Sequence, residues 1–84
     1  MRRLSDQEVA VLLRLPFASN REIAQELGIS YTNVKVKVNR IYKLLGVPEL
    51  PDADDKRIYA VVLAMKQGVI TLGDVWFASG GVIL

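Results

Sequence analysis

SNREIAQELGISYTNVKVKVNRIYKLLGV, residues 19–47, holds two helix-forming segments separated by Gly28-Ile29-Ser30. In the second segment Ser30 is a good N-cap, because its hydroxyl can accept a hydrogen bond from an otherwise orphaned backbone N–H. No Gly or Pro interrupts the chain from Tyr31 until Gly46, which suits the position just past a helix end. Val34, Val38, Ile41 and Leu45 fall at i, i+4, i+7 and i+11, so one narrow apolar stripe runs along the helix. The opposite face carries Thr32, Val36, Asn39, Arg40 and Lys43, with Lys35 and Lys37 on its flanks. No acidic residue occurs between Ser30 and Val47. A helix bearing only cations on its outer side is an electrostatic footprint for phosphate. A cationic face that merely meets solvent is the alternative, and the preceding segment weighs against it.

That segment opens with Ser19 and Glu22, an S-x-x-E capping box, which Ala18 and Ile23 can accompany as a hydrophobic staple. Ile23, Ala24 and Leu27 form an apolar face at helical spacing, Gly28 ends the helix, and Ile29 can plug the corner before Ser30 starts the next one. Two amphipathic helices joined by a short Gly-containing turn have the layout of a helix-turn-helix, whose second helix enters the DNA major groove. In that setting Asn39 can read adenine bidentately and Val36 can pack on a thymine methyl.

The segment resembles the LuxR/GerE family of bacterial transcription regulators. The matching text is Ser19-Asn20-Arg21-Glu22-Ile23-Ala24, Leu27-Gly28-Ile29-Ser30, Val34-Lys35-Val36, Arg40-Ile41-Tyr42-Lys43 and Leu45-Gly46-Val47, with Leu4-Ser5, Glu8, Val11 and Leu12 upstream. It covers about residues 4 to 68 in uninterrupted order. The chain departs from the family in having Asn33 where Thr is usual and Lys37 where His is frequent. Pro16-Phe17-Ala18 also replaces the usual Gly-containing bend. The resemblance implies an all-α, four-helix domain that pairs through its fourth helix and binds double-stranded DNA. Within the 84 residues nothing corresponds to the family's sensory domain, so a stand-alone regulator is expected. Lys35, Val36 and Asn39 agree with the family's base-contacting positions. Contacts to phosphate are expected from Ser19, Asn20, Arg21, Tyr31, Thr32 and Asn33 at two helix N-termini, and from Lys37, Arg40 and Lys43.

Composition fits this reading. A chain of 84 residues makes one domain with a small core, for which pairing with a second copy would add stability. Cysteine and histidine are both absent, which removes disulfides, thiolate chemistry, the commonest general base and the commonest metal ligand. With no phosphate-cradling Gly loop either, an enzyme is not expected, nor any cofactor or metal. The net charge of +2 is unevenly spread. Residues 1–47 hold eight Lys/Arg against four Asp/Glu, giving +4, and residues 48–84 hold three against five, giving −2. The first part is therefore the candidate nucleic-acid face, and the second the candidate protein-contacting one. Asp6, Gln7 and Glu8 interrupt any signal-peptide run after Arg2-Arg3, and no apolar stretch approaches the roughly 18 residues of a membrane span, so a cytoplasmic location is expected.

Outside the central stretch, Ser5 and Glu8 form another capping box with Leu4 and Val9 as staple. That helix should end near Leu15 because Pro16 follows, and Val11, Leu12 and Leu15 should face the core. Pro48-Glu49-Leu50-Pro51 reads as an extended connector, and Asp52 or Asp54 can cap the next helix, from about Asp55 to Gln67. This helix is apolar over much of its girth: Ile58, Val62 and Met65 share one stripe, Tyr59 and Leu63 another. Tyr59 and Leu63 are the candidate dimer contacts. Residues 1–70 form the expected domain and residues 71–84 an apolar tail. In that tail Val75-Trp76-Phe77-Ala78 and Val82-Ile83-Leu84 flank Ser79-Gly80-Gly81, a pattern that permits a small hairpin. The tail either packs on the domain or dimer, or offers Trp76 and Phe77 to another protein. The alternative function is accordingly a phage or host protein-interaction factor built on the same frame, binding RNA polymerase or an assembly partner.

Overall fold

The computed structural model describes residues 4–78 and Gly80. Among the described residues the chain forms helices α1 (Asp6–Arg14), α2 (Asn20–Leu27), α3 (Tyr31–Leu45), α4 (Ala53–Lys66) and α5 (Leu72–Ala78), and no strand.

Side-chain caps set most of the helix starts. At α1 the Ser5 N–H donates to Glu8 Oε1 (2.8 Å) and the Glu8 N–H to Ser5 Oγ (3.1 Å); Ser19 and Glu22 repeat the arrangement at α2 with the same two distances. Ser30 Oγ accepts from the Asn33 N–H at α3, and Asp52 Oδ1 from the Asp54 N–H at α4. Glycine sets most of the ends. Gly28, Gly46 and Gly68 lie in the left-handed region, and the residue after each donates back to a carbonyl five positions earlier: Ile29 to Ala24, Val47 to Tyr42, Val69 to Ala64. This Schellman closure satisfies carbonyls that the helix leaves open, and it needs a residue without a Cβ at the bend.

The core lies where α3 crosses α2 and α1, with α4 closing it from the other side. Val34, Val38, Ile41 and Leu45 are buried, as their stripe predicts, against Val11, Leu12 and Leu15 of α1 and its cap, Ile23 and Ala24 of α2, and Ala60, Val61 and Ala64 of α4. Burying each large aliphatic side chain contributes about 1.5–3 kcal/mol relative to exposure, so this junction holds the turn between α2 and α3 rigid. Two long polar side chains of the α4 region tie it to the rest of the fold. Gln67 Nε2 donates to the Leu45 carbonyl at the end of α3 (2.9 Å). Arg57 donates through Nε to the Leu15 carbonyl (2.9 Å), through Nη1 to Asn20 Oδ1 (2.9 Å), and through Nη2 to the Ala18 carbonyl. Arg57 therefore fixes the Pro16-Phe17-Ala18 bend.

The tail corrects the sequence reading. Val75-Trp76-Phe77-Ala78 is not a hairpin arm but most of α5, which rests on α1 with Val75 packed against the core. The expected partner arm, Val82-Ile83-Leu84, lies outside the described residues. The helix starts at Leu72 because Thr71 and Asp74 make a further capping box: Thr71 N–H to Asp74 Oδ2 (2.9 Å) and Asp74 N–H to Thr71 Oγ1 (3.1 Å). Leu72, Trp76 and Phe77 stay exposed on α5.

Candidate nucleic-acid interface

With Val34, Val38, Ile41 and Leu45 turned inward, the helical period turns the remaining side chains of α3 outward. Thr32, Asn33, Lys35, Val36, Asn39, Arg40 and Lys43 are exposed and Lys37 is half-buried. Val36, at 59% exposure, stands among cations with no apolar cover. Val36, Asn39, Arg40, Lys43 and Leu44 line a shallow concavity of about 410 Å³. Over its 15 residues α3 contains Lys35, Lys37, Arg40 and Lys43 and no acid, so the outward face is positive along its length.

The N-termini of α2 and α3 meet at the edge of this face. Two cations lie over the Tyr31 ring, Arg21 Cζ at 5.6 Å and Lys35 Nζ at 5.7 Å from its centroid. The negative face of the ring draws both cations toward one spot. Beside them Phe17, Ser19, Asn20, Arg21, Tyr31 and Arg57 line a cleft of about 570 Å³. Not every predicted donor here is free. The Ser19 N–H and hydroxyl are both engaged with Glu22 in the cap of α2. Asn20 Oδ1 is held by Arg57, which leaves the amide NH₂. The Ser19 N–H and hydroxyl hold the Glu22 carboxyl below its ordinary value.

Arg40 is engaged as well. Its Nε pairs with Oε2 of Glu8, whose side chain is 5% exposed while that of Arg40 is 57% exposed. Burial raises the Glu8 carboxyl pKa, but the Ser5 donors and the Arg40 charge outweigh it and leave the group below its ordinary value. Periodicity points Arg40 outward and Glu8 into the first turn of α1, and nothing in either segment announces the pair.

On α4, Tyr59 is 41% exposed, whereas Leu63 is half-buried against the core. The open side of α4 carries Ile58 and Val62 together with Tyr59, and these three line an apolar groove of about 410 Å³ with Leu50 and Asp55. Lys56 leans over the Tyr42 ring at 5.1 Å and reaches Glu49 at 3.3 Å.

A short helix, a three-residue turn and a longer helix with its cationic side outward define a helix-turn-helix domain. Residues 2–55 match the family model described as bacterial regulatory proteins, luxR family. The match spans more than half of the 84 residues, and the chain belongs to this family of DNA-binding transcription regulators, which is not a family of enzymes. Most of α4 and all of α5 lie beyond the matched stretch. Comparison with curated proteins and with solved structures returned no match. Among the described residues no helix is long and apolar enough to cross a membrane.

Proposed function

We propose that the chain is a sequence-specific binder of double-stranded DNA that regulates transcription as a homodimer, with α3 lying in the major groove. The observation that carries this is the outward face of α3: Lys35, Val36, Asn39 and Lys43 are exposed on a helix without a single acid, backed by a rigid core. At about 1.5 Å per residue α3 is roughly 22 Å long, and a groove about 12 Å wide admits it lengthwise. Lys35, Val36 and Asn39 read base edges. Asn39 offers a donor and an acceptor to adenine, and Val36 gives a thymine methyl the apolar partner it lacks in the free protein. Lys37, Arg40 and Lys43 take phosphates along the groove, and Arg21, Tyr31, Thr32, Asn33 and the Asn20 amide grip the backbone at the helix N-termini, where Ser19 holds the cap of α2.

The second copy docks through the open side of α4, where Ile58, Tyr59 and Val62 expose an apolar groove; Leu63 supports them from the core side. On a near-palindromic site two copies set their α3 helices about one DNA turn, ~34 Å, apart. Selection of random duplex DNA by the purified protein tests the proposal: it should yield a near-palindromic motif with half-sites one turn apart. Recovery of unenriched sequence would refute base reading, and a single unrepeated half-site would refute the dimer.

A further inference from the structure

The chain carries two capping boxes of the same S-x-x-E form, and they differ in one respect. Glu22 caps α2 from the exposed surface, so capping alone needs no burial. Glu8 caps α1 with the same geometry, yet it is the one buried charged side chain among the described residues, at 4% exposure. Burying a carboxylate is costly unless it is paired. The difference lies at the second oxygen: Glu8 Oε1 serves the cap, and Oε2 holds Nε of Arg40. Arg40 sits on the outward face of α3 between Asn39 and Lys43, and its two Nη groups make no hydrogen bond among the described residues.

From this contrast, and resting on the DNA-binding reading above, we infer that Glu8 is a positioning residue for the DNA contact of Arg40. The carboxylate fixes the guanidinium by its Nε and leaves the two Nη groups to take one phosphate as a fork. An arginine free in solvent samples many rotamers and must lose that freedom on binding; one already anchored does not. A planar fork held at one end presents its remaining donors in a fixed plane. Helix α1 thereby contributes to DNA affinity without touching DNA.

The sign of one substitution separates this role from plain electrostatics. Glu8→Gln keeps a side chain that caps at the third helical position and removes a negative charge close to the DNA face. If charge alone mattered, binding would tighten. If Glu8 positions Arg40, binding weakens. The affinity of the wild type, E8Q, R40Q and E8Q/R40Q for the selected duplex is measured by fluorescence anisotropy, with thermal melting of each variant alongside. E8Q and R40Q should each lose about tenfold, the worth of one charge-assisted bond, and the double variant should lose no more than R40Q alone. Equal or tighter binding by E8Q, or additive losses in the double variant, overturns the inference and leaves the DNA-binding reading standing. No binding of any duplex by the wild type overturns both. A second arm tests the fork itself: R40K keeps the charge but not the planar donors, and should lose nearly as much as R40Q. Full affinity in R40K overturns the inference even where E8Q fails to fold.

Discussion

Replacing Arg57 by alanine should unfold this domain more readily than its half-exposed position suggests. Its guanidinium makes three hydrogen bonds, to the carbonyls of Leu15 and Ala18 and to Asn20 Oδ1. These tie α4 to the bend before α2. A bond to a charged group contributes about 1.5–3 kcal/mol, so three taken in isolation would reach about 5–9 kcal/mol. They share one anchored group and are not additive, and water can reach the freed carbonyls at a partly exposed site, which brings the expected loss to about 2–4 kcal/mol. For a domain this small each kcal/mol moves the melting temperature by about 4–8 °C, so the midpoint should fall by roughly 8–32 °C. Urea unfolding followed by circular dichroism measures the loss directly, with Arg57→Lys as the control. A single ammonium cannot span three acceptors, so the lysine variant should recover less than half of it. A loss below about 0.5 kcal/mol in the alanine variant, the range of ordinary surface changes, would show that the bend holds itself and that the clamp is incidental.

Changing Asn39 or Lys35 to Ala should cost about 1–3 kcal/mol on the selected site and relax base preference there, whereas Lys43→Ala should weaken cognate and random duplex alike and lower the salt slope by about one; competition anisotropy at several salt concentrations distinguishes the two patterns. Val62→Asp or Tyr59→Asp places a charge in the apolar groove of α4, and sedimentation should show the dimer shift to monomer while the circular dichroism spectrum is kept; an unchanged sedimentation coefficient refutes pairing through this face. The Glu8 carboxyl lies below its ordinary value of 4.5 in the folded chain, so its contribution to stability is present above that pH and is lost as pH falls through the depressed value. Urea midpoints measured from pH 7 to pH 3 should therefore drop more steeply in the wild type than in Glu8→Gln.

Much of this architecture is legible in the sequence because its signals are local. Ser5 with Glu8, Ser19 with Glu22, and Ser30 before an uninterrupted run each announce a helix start, and Gly28 and Gly46 announce ends, all within a few residues. The stripe on α3 picks the buried side because its opposite side is polar. On α4 the same logic loses its grip. Apolar residues surround the helix, so periodicity cannot tell Ala60, Val61 and Ala64, which are buried, from Ile58 and Val62, which are not. Small alanines sit where α4 approaches the core closely, and the larger side chains are left outside. The helix α5 was equally within reach, since Thr71 and Asp74 have capping-box spacing, but the glycines at 68, 73, 80 and 81 favour a turn reading of that region. The Arg57 clamp and the Glu8–Arg40 pair join residues distant in sequence, 42 positions in the case of Arg57 and Leu15, and only the folded chain brings them together.

The central claim is that the cationic side of α3 lies against a duplex. Titrating the ¹⁵N-labelled protein with its selected duplex and following backbone amide shifts tests it most directly. The account predicts the largest shifts at residues 31–43 and at the start of α2, weakening as salt rises, with the exposed residues of α5 unmoved. Shifts centred on α4 or α5, with α3 unaffected, would contradict it.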